Sequence, residues 1–172
     1  YDATNGGFGP PPKFTMPVYM AFLLWHYART GEKKSLEMVE YTMKKIIFGG
    51  ITDQLGGGFA RYSTDEKWLV PHFEKMLYDN ALLIGVLSEA FQLTKKPRYK
   101  EVIEETMEFI KRELTDKQGG FYAALDADSE GVEGKFYTWS RQEIETILGH
   151  DATLFCEYYD VTEHGNWEHT NI

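Results

Sequence analysis

The chain has 172 residues, 42% hydrophobic and 15% aromatic, with 18 basic against 27 acidic side chains for a formal charge of −9. That length supports one good hydrophobic core, so a single helical domain is expected over 1–172, and the acidic balance argues against nucleic acid or an anionic membrane surface as partner. The longest strongly apolar run, Val18 to Trp25, is far too short to span a bilayer, and no signal peptide is visible.

The chain opens YDATNGG, closes GNWEHTNI and reads as an excerpt of a longer protein. Gly6-Gly7-Phe8, followed by Lys13-Phe14, is the first of three related stretches. Gly57-Gly58-Phe59 with Lys67-Trp68 and Gly119-Gly120-Phe121 with Lys135-Phe136 repeat it. Paired glycines permit backbone angles closed to other residues, and flanking aromatics favour extended pairing. The first stretch carries Pro10-Pro11-Pro12 and reads as an irregular loop. The second and third read as short β-hairpins with STDE (63–66) and DADSEGVE (126–133) at their tips.

A helix follows each stretch. Pro17 to Thr30 is apolar on nearly every face and is expected to be buried all round, with His26 a hydrogen-bonded core histidine. Lys34 to Phe48 is amphipathic, with Leu36, Val39, Met43 and Ile46 on one face. Phe73 to Leu93 again reads as a buried helix. Pro97 to Leu114 is amphipathic, with Val102, Ile103, Thr106, Ile110 and Leu114 inward and Glu101, Glu104, Glu105 and Glu108 outward; Pro97 suits a first helical position. The two amphipathic helices align at an offset of 64, Val39 with Ile103 and Ile46 with Ile110. Ser140 and Glu143 form a capping box for a helix to Leu148, and Asp151 is placed to cap another to Tyr159. Cys156 is the only cysteine, so no internal disulfide can form, and the cytoplasm, a reducing compartment, is the default. Its thiol reads as a small buried hydrophobe. The expected architecture is two layers of helices with the Gly-Gly-Phe loops on one rim, where chemistry is usually placed.

GGFGPPPKF, DQLGGGFARYSTDEKWLVPHFEKMLYDNALL, GGFYAALDADSEGVEGKFYTWS and GNWE closely resemble the YyaL-like family of thioredoxin-domain-containing proteins, which includes spermatogenesis-associated homologues. The resemblance covers essentially the whole chain. It implies an all-α fold, part of an (α/α)6 toroid similar to N-acylglucosamine 2-epimerases and six-hairpin glycosidases, with short β-hairpins on one rim. It also implies that a thioredoxin-like domain precedes this region, and that the scaffold is of a carbohydrate-active type. A full toroid has twelve helices. Apolar faces meant for further helices are therefore expected to be exposed, and the chain to self-associate as a dimer.

Candidate chemistry concentrates in WLVPHFEKMLYDNALLI, residues 68–84. Projected as a helix at roughly 100° per residue, His72, Lys75 and Asp79 share one sector, and Glu74 and Tyr78 another. Asn80 falls on the most apolar face, where an unpaired amide would cost about 1–3 kcal/mol. His72, beside Pro71 at a helix start, is expected as a neutral imidazole able to take a proton, with Glu74 or Asp79 orienting it or acting as the paired acid. Epimerisation needs a base and an acid on opposite faces of a carbon. Glycoside hydrolysis needs two carboxyls roughly 5–10 Å apart, a role open to Glu74 or Asp79 with Asp126 or Asp128. The plainer alternative stays open: Glu74 caps the helix, Asp79 pairs with Lys75, and His72 satisfies a loop.

Residues 126–137 imitate the start of an EF-hand loop, but Tyr137 stands where a bidentate glutamate is required, so an acidic hairpin tip is expected and no metal. Carboxylates clustered there could still raise one another's pKa and supply an acid. Arg61, Tyr62, Trp68, Lys135, Tyr137 and Trp139 lie on the rim loops and, with Asn80, are candidate substrate contacts; Arg61 would meet an anionic ligand or a rim carboxylate. Phe59 and Phe121 are expected to pack the hairpins onto the helices. Gly56-Gly57-Gly58 lacks the lysine and the strand–helix context of a phosphate loop, and no cofactor is expected. Besides a metal-dependent hydrolase, which would need three ligands close together and ranks last, two functions follow: a rim site for a carbohydrate or polyol, or a non-catalytic scaffold that binds a partner or regulates the thioredoxin-like domain. Convergence of His72, Glu74, Asp79, Asp126 and Arg61 discriminates them.

Overall fold

The computed structural model describes residues 1–172 and divides them into two compact units, Tyr1–Ala127 and Asp128–Ile172. The single domain expected over 1–172 is thus described in two parts.

In the first unit, α1 (Pro17–Thr30) is followed by α2 (Lys33–Ile47), and α3 (Leu77–Thr94) by α4 (Pro97–Glu113). Each pair packs as a helical hairpin, and α1 packs on α3, so that α1 and α3 form one layer and α2 and α4 flank it. The sequence signals for these helices are local ones. Proline stands at the first helical position of α1 and α4, and Gly31 leaves α1 in the left-handed conformation that glycine accepts cheaply. The core joins Met20 and Leu24 of α1, Val39, Met43, Ile46 and Ile47 of α2, Leu83, Val86, Leu87 and Ala90 of α3, and Tyr99 and Val102 of α4. Of the residues expected inward on α4, Val102, Thr106 and Leu114 are buried, while Ile103 and Ile110 are only half-buried. Phe109 takes the remaining core position, and the glutamates at 101, 104, 105 and 108 face water.

Two expectations need correction. The first helix is not buried all round: Val18, Tyr19, Phe22 and Trp25 are between half and two-thirds exposed, and only Met20 and Leu24 are fully buried. The third helix starts at Leu77 rather than Phe73, and it too has an open side, with Leu82 and Leu93 exposed. Residues 71–76 are extended because neighbouring strands take up their backbone groups. Strand β1 (Lys13–Phe14) pairs with β2 (Tyr62–Ser63), and β2 with β3 (Pro71–His72). Strand β4 (Lys75–Met76) pairs with β5 (Ala124–Leu125). Thus the first stretch, read as an irregular loop, ends in a strand, and the helical projection of His72 and Lys75 does not apply.

The Gly-Gly-Phe stretches close three matching turns. Asp2, Asp53 and Asp116 each open one, their N–H groups donating to the carbonyls of Gly7, Gly58 and Gly120. Their carboxylates accept from backbone N–H groups two to three residues further on, at Thr4 and Asn5, Leu55 and Gly56, and Gln118. In the first two a buried lysine clamps the turn. Lys13 donates to Asp2 and to the Gly6 carbonyl (2.6 and 2.8 Å), and Lys75 to Asp53 and the Gly57 carbonyl (2.8 and 2.9 Å). Lys13 lies over the Trp68 ring and Lys75 over Phe109. The lysine that repeats Lys13 is therefore Lys75, not Lys67. Gly7 and Gly58 have φ of +83° and +81°, and a Cβ on either would stand 2.5 Å from the Trp68 or Phe109 ring, so only glycine fits. Phe59 is buried as expected, whereas Phe121 is 62% exposed, because no aromatic covers the third turn.

In the second unit, β6 (Asp128–Ser129) and β7 (Val132–Glu133) make a tight hairpin turning at Glu130 and Gly131. Helix α5 (Arg141–Leu148) starts on the expected capping box: Ser140 accepts from the Glu143 N–H, and Glu143 accepts from the Ser140 N–H. After a 3-10 turn over Gly149–Asp151, α6 runs over Ala152–Tyr158; Asp151 precedes it without a side-chain capping bond. Ile144, Cys156 and Val161 form a small core with Trp139, Leu148, Phe155 and Tyr159 against it.

Candidate functional site

Strand β3 and the residues between it and α3 bring His72 and Glu74 next to Arg61. Antiparallel register puts His72 opposite Tyr62, and their rings stack with centroids 4.9 Å apart and planes 13° from parallel. The same register puts Phe14 on the far side of Tyr62, ring centroids 4.9 Å apart. Three rings thus line one row across the sheet, as directly opposed cross-strand side chains do. Phe14 escaped the sequence reading because its strand was read as a proline loop.

Two residues past His72, Glu74 turns back to Arg61. The Arg61 N–H donates to the Glu74 carbonyl, and Arg61 Nη1 donates to Glu74 Oε2, both at 2.8 Å. His72 Nε2 lies 3.7 Å from the same carboxylate oxygen, within ion-pair reach when the ring is protonated. These side chains stay between 26% and 37% exposed, so the pair faces solvent from the rim. Of the two partners foreseen for Arg61, the rim carboxylate is the one present. Glu74 does not cap α3.

Asp79, in the first turn of α3, is only 7% exposed. Burial pushes its carboxyl up to about 6; the Arg61 charge and the Tyr78 hydroxyl oppose this, and the Glu74 charge adds to it. Its Oδ2 is buried without a hydrogen-bond partner, as is Arg61 Nε. The lysine–aspartate pair foreseen between Lys75 and Asp79 does not form, because Lys75 is committed to Asp53. Burial lowers the Lys75 pKa, against the pull of Asp53. Tyr78, whose hydroxyl lowers the Asp79 pKa by hydrogen bonding and raises that of Arg61, is 48% exposed and was overlooked as a site residue. Its position one residue before the buried Asp79 was the available signal.

Asn80 and Trp68 do other work than expected. Asn80 is fully buried: its Oδ1 accepts from the Phe59 N–H (2.8 Å) and its Nδ2 donates to the carbonyls of Phe59 and Met76 (3.1 and 2.8 Å). It ties the second Gly-Gly-Phe turn to α3, with both amide donors used, and is closed to a ligand by its burial. Trp68 is also fully buried, its Nε1 donating to the Asn5 carbonyl, so its faces are spent on Gly7 and Lys13 rather than on a sugar. Asp126 directly follows β5, whose Leu125 pairs with Lys75 next to Glu74. His26 Nδ1 meets the Ser35 hydroxyl at 3.0 Å, hydrogen-bonded as foreseen but half-buried rather than in the core.

In the second unit, Asp128 pairs with Glu133 across the hairpin, exposed Lys135 forms an ion pair with Glu130, and Tyr137 packs edge-on against Phe136. Trp139 pairs with Asn171 and supports the small core. No group of three or more His, Cys, Asp and Glu side chains is arranged to hold a metal ion. No helix is long and apolar enough to cross a membrane.

Helical hairpins in two layers with short β-hairpins place the chain in a class: part of an (α/α)6 toroid fold, shared with solved structures. Similar solved structures include cellobiose 2-epimerase from Bacillus thermoamylovorans, at TM-score 0.64 and 13% identity over 73% of this chain and 35% of that one. A sugar epimerase from a ruminal bacterium matches at 0.62 and 18% identity, over 83% and 41%. A family 76 glycoside hydrolase from a bovine Bacteroides thetaiotaomicron strain matches at 0.58 and 15%, over 85% and 33%. No protein-family model matches the chain. In sequence it is 39% identical to human spermatogenesis-associated protein 20 over 186 residues, covering 96% of this chain and 24% of that protein. An uncharacterized protein of Caenorhabditis elegans is also 39% identical, over 96% and 25%. The chain spans about a quarter of the length of the curated relatives it matches.

Proposed function

We propose that this chain is part of the helical module of a YyaL-like, thioredoxin-domain-containing protein, and that its rim cluster binds a carbohydrate or polyol for acid–base chemistry of the epimerase or glycosidase type. The observation that carries this reading is Asp79: a buried carboxyl pushed up to about 6 under the influence of an arginine and of a second carboxylate, Glu74, which itself lies within ion-pair reach of a histidine. A group titrating there can both take and give a proton near neutral pH, which is what proton transfer at a sugar carbon or a glycosidic oxygen demands. Asp79 is assigned the transferable proton. His72, held by the Tyr62 stack and facing Glu74, is assigned the complementary base or acid, and Arg61 orients hydroxyls. Asp126 is the reserve carboxylate for a two-carboxyl mechanism. The fold shared with sugar epimerases and a glycoside hydrolase supports the substrate class.

The test uses the full-length protein in D2O with glucose, mannose, N-acetylglucosamine and cellobiose. Loss of the C2 proton signal, abolished by His72→Ala and Asp79→Asn, is the expected result for epimerisation. Release of reducing ends from glycosides, lost in Asp79→Asn, is the result for hydrolysis. Turnover of neither kind favours the scaffold reading, in which the Lys13, Lys75 and Asn80 clamps exist only to rigidify the rim.

A further inference from the structure

Two buried polar atoms in the rim cluster have no partner: Arg61 Nε, a donor, and Asp79 Oδ2, an acceptor when ionised and a donor or acceptor when protonated. Buried polar atoms in folded proteins are nearly always paired, so two orphans in one cluster call for a physical reason. Neither arises from a loosely held backbone. The Leu77 N–H donates to the Ala123 carbonyl at 2.9 Å, Asn80 is bonded three ways, and Arg61 is fixed through both its N–H and Nη1 to Glu74.

We propose that Arg61 Nε and Asp79 Oδ2 are a donor–acceptor pair for adjacent hydroxyls of an uncharged sugar or polyol, and that Tyr78 is the side chain that swings aside to admit them. This rests on the carbohydrate reading of the site and narrows it. An anionic ligand is disfavoured because the Arg61 charge is already matched by Glu74 at 2.8 Å, and a phosphate or carboxylate would meet two carboxyls in return. A vicinal diol needs no charge: one oxygen accepts from Arg61 Nε–H while the neighbouring hydroxyl donates to Asp79 Oδ2. Both atoms are closed to solvent as the side chains stand. Tyr78 precedes Asp79, brings its hydroxyl within hydrogen-bonding influence of both Asp79 and Arg61, and is 48% exposed. An exposed ring can change rotamer quickly, so it can open the pair without disturbing α3.

The experiment is calorimetric titration of the full-length protein with glucose, mannose, N-acetylglucosamine and sorbitol, then with glucose 6-phosphate, mannose 6-phosphate and glucuronate. At least one neutral compound is expected to bind, with the charged analogues weaker. Arg61→Lys, which keeps the charge but loses Nε, and Asp79→Asn each weaken that binding about tenfold or more. Tyr78→Ala leaves affinity equal or higher and speeds association. Thermal melts of each variant establish that it is folded. Tighter binding of the charged sugars, or neutral binding unmoved by Arg61→Lys and Asp79→Asn, overturns the pair while leaving the carbohydrate reading standing. Loss of affinity in Tyr78→Ala overturns its role as a cover. Binding by none of the seven compounds overturns both the pair and the carbohydrate reading.

Discussion

Asp79 occupies the first turn of α3, where the helix dipole favours a carboxylate. Burial outweighs it and the charge is disfavoured, placing the carboxyl at about 6. The unfolded value is near 4. A raised folded value means that the native state holds the proton more tightly, so this group's contribution to stability is fully present below about pH 4 and is lost as pH rises to about 6. Asp79→Asn, which is neutral throughout, is therefore expected to be more stable than the parent at pH 7 by roughly 2–3 kcal/mol and close to it at pH 4. Thermal melts at the two pH values check this; equal differences at both would count against the assignment. Asn80, one residue on, behaves oppositely. Asn80→Ala leaves the Phe59 N–H and carbonyl buried and unpaired and is expected to cost about 2–4 kcal/mol in denaturant melts. Of this pair the sequence showed that Asn80 had to be hydrogen-bonded, because an amide stood on an apolar face. It could not show that Asp79 would lose its lysine, since Lys75 is held by Asp53, 22 positions earlier.

At the scale of elements, the helices legible in the sequence are those whose ends are marked locally: Pro17, Pro97 and the Ser140–Glu143 box. The start of α3 carries no such mark. Met76, its N-cap, makes no side-chain capping bond, and the helix begins where pairing of Lys75 and Met76 with β5 ends, a long-range event that periodicity does not record. The turn repeat was half visible. The three Gly-Gly-Phe stretches stood out, while the aspartate opening each turn was passed over. The matching geometry makes a paired prediction. Gly58→Ala meets the Phe109 ring at 2.5 Å with φ at +81° and is expected to cost about 2–4 kcal/mol. Gly120→Ala, in the turn that nothing covers and without a positive φ, should change thermal stability by less than about 1 kcal/mol.

At the scale of the whole molecule, α1 presents Val18, Tyr19, Phe22 and Trp25 to solvent, beside a groove of ≈ 440 Å³ lined by Phe8, Val18, Tyr19, Phe22, Leu23 and Met38. The sequence marked α1 as apolar on all sides. Which side of α1 is covered is set by the elements packed on it, a tertiary fact that periodicity within the helix does not report. An apolar face of this kind associates in water. Residues 1–172 are expected to run as a dimer in light scattering at high concentration and to shift toward monomer in Phe22→Glu; a clean monomer at every concentration would count against it.

The central claim is that the rim holds a carboxyl able to exchange a proton near neutral pH. Carbon-13 NMR of the Asp79 carboxyl across a pH titration measures it directly. A midpoint near 6, well above ordinary aspartates, is the predicted result. A midpoint near 4 or below would show that Asp79 is an ordinary ionised carboxylate and would contradict the acid–base reading of the site.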